Sequence, residues 1–223
     1  MSADTIRPFL WLLILLFAGG MALFTATVGV AGAVLVWRAL PDQVAKRRFR
    51  ALSAVRASAI TPGEVVKITG VVRTIEPSEA PVSGAACACW ELVIEAPAGK
   101  NHWRTVAQDK GGKPFVVDDG SGEVVQVSPM DARLALRRAE RGRTGFFDPA
   151  RPREAELIAR HGLDPGGRFG FGYRFGEGTL REGERVSVIG EVALNDTRDG
   201  PRLALVAPPG KRLDISDLPD IHG

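Results

Sequence analysis

The chain has 223 residues, 45% of them hydrophobic and 25% charged, with a formal charge of +3, which excludes a wholly disordered polypeptide. Two cysteines and three scattered histidines exclude a disulfide scaffold and a Cys/His zinc module. The 26 glycines and 15 prolines favour turns and short strands over a long helical bundle.

The N-terminal tail, residues 1–8, carries Asp4 and Arg7, which cancel. Residues 9–37, from Phe9 to Trp37, then run for 29 positions without a charge. As a helix this stretch measures roughly 43 Å, more than the ~30 Å hydrocarbon core of a bilayer requires. Trp11 and Trp37 stand near its ends, where indole rings favour the interface. A single transmembrane helix is expected. The competing reading is a cleavable secretory signal, favoured by the small residues Val30-Ala31-Gly32-Ala33. Against it stand the length of the apolar run and an n-region without net side-chain charge.

Residues 38–60 form a basic juxtamembrane segment read as a helical linker, with Pro41 near its start. Arg38, Lys46, Arg47, Arg48, Arg50 and Arg56 face only Asp42 there. From Ala57 onward 22 basic residues meet 24 acidic ones, so the positive excess belongs to the linker. A nucleic-acid binder carries that excess on its folded surface, so no nucleic-acid partner is expected. Positive residues beside a span stay cytoplasmic, which predicts the N-terminus outside and the domain inside. Arg38, Lys46, Arg47, Arg48 and Arg50 are the candidate membrane-surface residues, facing anionic lipid. The expected location is a membrane, as a single-pass protein with its domain on the cytoplasmic side.

Residues 61–218 read as one β-rich domain, followed by a tail, 219–223. Val65, Val66, Ile68, Val71, Val72 and Ile75 make a β-branched strand, with Gly70 as a candidate bulge. A strand over Cys87 to Glu95 and another over His102 to Ala107 follow. Pro114 to Asp119 and Glu123 to Val127 flank Gly120-Ser121-Gly122, the pattern of a β-hairpin. Residues 131–162 are expected to be a helical insertion, with short helices over Asp131 to Glu140 and Arg153 to Arg160. Strand character returns at Arg168 to Leu180, where Phe169, Phe171, Tyr173 and Phe175 share one face. Arg185 to Leu194 and Pro201 to Val206 complete the series. The fold class expected is mainly β, a small barrel or sandwich with an OB-like barrel as one form, plus inserted helices and the transmembrane helix.

Little in the sequence dictates a reaction. Cys87 and Cys89 are two thiols at i and i+2, short of a zinc ligand set, and packed core thiols are expected. Asp118-Asp119 beside Gly120 is read as turn chemistry rather than a cation site. His102, His161 and His222 belong to no catalytic or metal motif. The run Arg168 to Phe175 lacks the Gly that an RNA-stacking strand carries directly after its basic residue, so an aromatic core or interface strand is expected. No catalytic residue, metal ligand or cofactor is assigned.

Several segments together resemble the membrane-flanked, β-rich domain of GIDE-type proteins, a family named for mitochondrial E3 ubiquitin ligases. They are Gly70-Val71-Val72, Ala80 to Gly84 with Cys87 and the strand Trp90 to Glu95, Pro114 to Gly122, Leu180 to Glu191, and Leu213 to Asp217. The resemblance extends over about residues 64–218. Ligases of the family also carry a RING whose zinc ligands recruit the E2 enzyme, and no such ligand set occurs in this sequence. The resemblance therefore implies a membrane-tethered, non-catalytic β-domain for protein interaction, in a bacterial-type member without RING. An E3 ubiquitin ligase-like activity is the alternative, and the lipid bilayer and a protein are the partners implied.

Overall fold

The structure, a computed structural model, describes residues 46–99, 102–165, 172–197 and 200–221. Contacts divide the chain into Met1–Lys46 and Arg47–Gly223, and the described residues other than Lys46 belong to the second unit. Among the described residues no helix is long and apolar enough to cross a membrane. The expected span, 9–37, and Arg38 lie outside them.

In chain order the strands are β1 (Val65–Thr74), β2 (Ser78–Glu79), β3 (Ala86–Cys87), β4 (Cys89–Gly99) and β5 (His102–Gly112). Next come β6 (Phe115–Asp118), β7 (Val124–Val127), β8 (Arg133–Ala135) and β9 (Arg138–Arg143). After the Pro152–Arg160 helix follow β10 (Arg174–Leu180), β11 (Arg185–Thr197), β12 (Gly200–Val206) and β13 (Asp214–Ser216).

The period-two apolar pattern of β1 buries Val66, Ile68, Gly70 and Val72 on one face. Its ten residues reach two neighbours: β11 along Val65 to Val71, and β6 along Val71 to Thr74. β6 then pairs with β7, β7 with β12, and β12 with β11. The ring β1-β6-β7-β12-β11-β1 therefore closes as a five-stranded barrel, which removes the unpaired edges of an open sheet. Within the ring only β7 and β12 run parallel, a pairing that requires a long crossover. The barrel interior is filled by Phe115, Val117, Val125, Val127, Val188 and Ile215, among other fully buried side chains.

Two insertions build a second layer. Strands β4 and β5 lie between β1 and β6 in the chain, whereas β9 and β10 lie between β7 and β11. They meet as one four-stranded sheet, β5-β4-β10-β9. The Pro152–Arg160 helix covers it, setting Leu157 and Ile158 against Leu92, Ile94, Tyr173 and Phe175. Pro152 suits the first helical turn, and the buried Glu154 accepts the Arg151 N–H at 2.8 Å with Oε2.

Several expectations need correction. Asp131 to Glu140 is not a helix. Its residues enter β8, parallel to β13, and β9, antiparallel to β10. Ala, Leu, Arg and Glu favour helix only weakly, and pairing with β13 and β10 outweighs that preference. Only the Pro152–Arg160 part of the expected helical insertion is helical. Gly70 is not a bulge either, since its register with Val186 is continuous. A Cβ there would lie 2.5 Å from the Asp118 carbonyl oxygen, so glycine permits a close approach of two backbones. β5 runs on to Gly112, and β10 begins at Arg174, with residues 166–171 outside the described set.

The linker is helical over residues 46–51 and then turns back onto the barrel. Phe49 is buried with Ile189 and Ile221, and its carbonyl accepts a 3.1 Å hydrogen bond from Nζ of the buried Lys67. Burial lowers the Lys67 pKa from its ordinary value. Arg48 joins Arg133 on the buried Asp214, at 3.0 and 2.6 Å. The helix is thereby fastened to the domain by apolar burial and by charge.

Candidate contact surface

The β4–β5 hairpin and the end of β9 frame a cleft of about 420 Å³. Beyond β9 the chain makes a tight turn. Gly145 donates its N–H to the Asp148 carbonyl at 2.8 Å and Asp148 returns the bond at 3.2 Å, which leaves Phe146 and Phe147 at the tip. The base of this turn is fixed. Thr144 donates its N–H to the Tyr173 carbonyl at 2.8 Å, and its Oγ1 accepts the Tyr173 N–H at 2.9 Å. Gly172, with φ +69°, passes so close that a Cβ would fall 1.9 Å from the Thr144 carbonyl oxygen.

Phe146 and Phe147 are 82% and 94% exposed, with ring centroids 4.9 Å apart in an edge-to-face contact. Covering one such ring is worth roughly 2–3 kcal/mol. The fold does not collect that energy. Across the cleft the Trp103 ring carries the guanidinium groups of Arg143 and Arg174, at 5.4 and 4.8 Å from its centroid. The Arg174 side chain is held by a hydrogen bond to Glu95, which raises its pKa further above the ordinary arginine value. Pro97 and His102 complete the wall. Flat apolar rings beside cations suit contact with an apolar surface that carries negative charge.

The buried acidic groups outside the cleft have structural partners. Glu177 accepts the N–H groups of Val82 and Ser83, at 2.7 and 3.2 Å. Asp217 accepts Arg137 through its N–H at 2.8 Å and through Nε at 3.2 Å. Cys87 and Cys89 are free and buried, as packed core thiols. Burial, with Glu177 nearby, pushes the Cys87 thiol up to about 11, and burial likewise raises Cys89, so neither supplies a thiolate at neutral pH. His161 Nε2 lies 3.8 Å from Asp109, while His222 falls outside the described residues. Among the described residues no group of three or more His, Cys, Asp or Glu is placed to hold a metal ion.

The Asp118-Asp119 pair closes its turn as expected. Asp118 Oδ1 accepts the Gly120 N–H and Asp119 Oδ1 the Ser121 N–H, both at 2.9 Å. Asp119 Oδ2 also accepts the Ala57 N–H at 2.7 Å, which docks the Ala57–Ala59 turn. Burial pushes the Asp119 carboxyl up, but hydrogen bonds from Ser121 and Ala57 outweigh it and hold it below the usual carboxylate value. A depressed carboxyl stabilises the fold fully above its unfolded pKa and loses that contribution as pH falls through the folded value. Exchange protection of the Ala57 amide is therefore expected to persist from neutral pH down past the ordinary aspartate value of about 3.9, and to be lost only as the pH falls through the lower folded value. Asp119→Ala should abolish it at neutral pH; unchanged protection in that variant would contradict the docking.

Of the candidate membrane-surface residues, Arg47 and Arg50 are exposed on the 46–51 helix, Lys46 is partly exposed, and Arg48 is engaged by Asp214. In the aromatic run, Tyr173 and Phe175 are core residues, and the Tyr173 hydroxyl donates to the Asp164 carbonyl at 2.9 Å. Phe169 and Phe171 lie outside the described residues. Sequence reading missed the Phe146–Phe147 tip and Trp103. Its available signal was two adjacent phenylalanines between Gly145 and Asp148-Pro149, in a loop rich in arginine.

No curated protein matches the chain, and neither does any solved structure. A family model described as GIDE, E3 ubiquitin ligase, matches residues 95–212, just over half of the sequence. That range takes in the β6–β7 hairpin, the second part of the inserted sheet and the long strand β11. The segments from Gly70 to Cys87, the strand Trp90 to Glu95 except its last residue, and Leu213 to Asp217 fall outside it. The chain belongs to the GIDE family.

Proposed function

We propose that this GIDE-family chain is a membrane-anchored, non-catalytic β-domain that serves as a protein-interaction or scaffold module at a membrane surface. The observation that carries the reading is the exposed Phe146–Phe147 tip beside the arginine-flanked Trp103, a surface built for contact. The apolar stretch Phe9 to Trp37 supports the anchor, and the basic segment after it supports a domain facing the cytoplasm. The buried thiols and the occupied buried carboxylates support a structural use of the groups that chemistry would otherwise draw on. The order of strands in the barrel, with one parallel pairing between β7 and β12, supports an OB-like reading, in which binding falls to surfaces laid on the barrel.

The family description favours a second reading, ubiquitin transfer. Incubating the full chain in detergent with E1, E2, ubiquitin and ATP separates the two. The scaffold reading predicts no ubiquitin chains above a reaction lacking the protein. Chain formation that scales with its concentration would establish the ligase reading instead.

A further inference from the structure

We infer that the Phe146–Phe147 turn is a second membrane contact, its rings entering the interface of an anionic bilayer with Trp103 and the neighbouring arginines at headgroup depth. The inference rests on the membrane-anchored reading above and names the occupant of the surface described there. A two-residue turn closed by backbone bonds ordinarily carries Gly, Asn or Asp, which suit its backbone conformation and hydrogen-bond it locally. Here both tip residues are phenylalanine, and neither is covered by the fold. The turn projects on a base held by the reciprocal Thr144–Tyr173 bonds, so little ordering remains to be done on insertion.

The stretch around the tip is net positive. Arg141, Arg143, Arg151 and Arg153 are exposed within ten residues of it, against Asp148 alone in the same stretch, residues 141–153. Ion pairs from Arg143 to Glu140 and from Arg153 to Glu79 hold two of these side chains in place and offset part of their charge, so the basic excess of residues 141–153 rests chiefly on Arg141 and Arg151. Aromatic rings ringed by arginine match the layered chemistry of a membrane surface, apolar below and anionic at the headgroups. A convex apolar tip also needs no shaped pocket in its partner, and a bilayer offers none. The apolar stretch of the same chain would keep that surface at high effective concentration.

The test uses the full chain carrying Phe147→Cys, reconstituted into vesicles of phosphatidylcholine and phosphatidylglycerol and labelled with a nitroxide. Cys87 and Cys89 are buried and stay unlabelled in the folded protein. A second sample carries the label at Glu123→Cys, in the exposed β6–β7 turn. The inference predicts a several-fold higher ratio of oxygen to aqueous nickel-complex accessibility at position 147 than at position 123. Protein that floats with the vesicles but keeps position 147 as water-accessible as position 123 overturns the inference alone and leaves the tip to a protein partner. Protein that does not float overturns the anchored reading and this inference together.

Discussion

Replacing Phe115 by alanine should lower the unfolding free energy by about 3–5 kcal/mol, the cost of deleting a fully buried aromatic ring from a core that cannot collapse around the gap. Phe115 is wholly inaccessible to solvent, and it opens β6 where that strand meets both Thr74 of β1 and Val127 of β7. Its ring belongs to the buried cluster at the centre of the barrel. Pulse proteolysis of the full chain across a urea series in detergent gives the comparison. Phe147→Ala, at an almost fully exposed position, should stay within about 0.5 kcal/mol of the parent in the same assay. Equal losses from the two substitutions would contradict the placement of the core.

Gly70→Val is expected to be at least as damaging, costing about 4 kcal/mol or more and leaving little folded protein. At this point β1 passes from pairing with β11 to pairing with β6. A Cβ would stand 2.5 Å from the Asp118 carbonyl oxygen, 2.7 Å from its carbon and 2.8 Å from Val117 Cγ1. Two of those atoms are backbone, so the clash is relieved only by separating β1 from β6. Gly145→Ala is the matched control, because its added Cβ would meet nothing within 4 Å and its φ is not positive. Folding yield and urea midpoint should be unchanged for Gly145→Ala and severely reduced for Gly70→Val. A soluble Gly70→Val protein of parental stability would mean that the barrel is not closed there.

The contrast between these two glycines shows where sequence reading succeeds and where it stops. The barrel strands β1, β6, β7, β11 and β12 are legible because burial on one face writes an apolar alternation into each. The β6–β7 hairpin is the clearest case, since its turn residues and flanking strands agree. Asp131 to Arg143 is illegible for the opposite reason. Its strands are short and edge-like, the side chains of β8 and β9 are half-exposed or exposed, and only Ala132, Leu134 and Leu136 alternate toward the core, a run too short to stand out from the helix-favouring residues around it. What makes it β is the company of β13 and β10, which the local sequence does not encode. Gly70 is visible as a glycine in a strand, but whether it marks a bulge or a close approach depends on Asp118, almost fifty residues away.

The contact surface follows the same logic. Phe146 and Phe147 look like core residues by composition, and only the closed turn and the Thr144–Tyr173 anchor reveal that they project outward. Trp103 likewise acquires its two arginine neighbours from strands β9 and β10, remote in the chain. By contrast, the burial of Cys87 and Cys89 was legible, since two thiols without further ligands behave as small hydrophobes.

Extraction of native membranes with alkaline carbonate, combined with the intact mass of the recovered protein, tests the membrane anchor most directly. The account predicts that the protein stays with the membrane pellet and that its mass includes the apolar stretch through Trp37. Recovery in the carbonate supernatant, with a mass that begins near Val34, would contradict it.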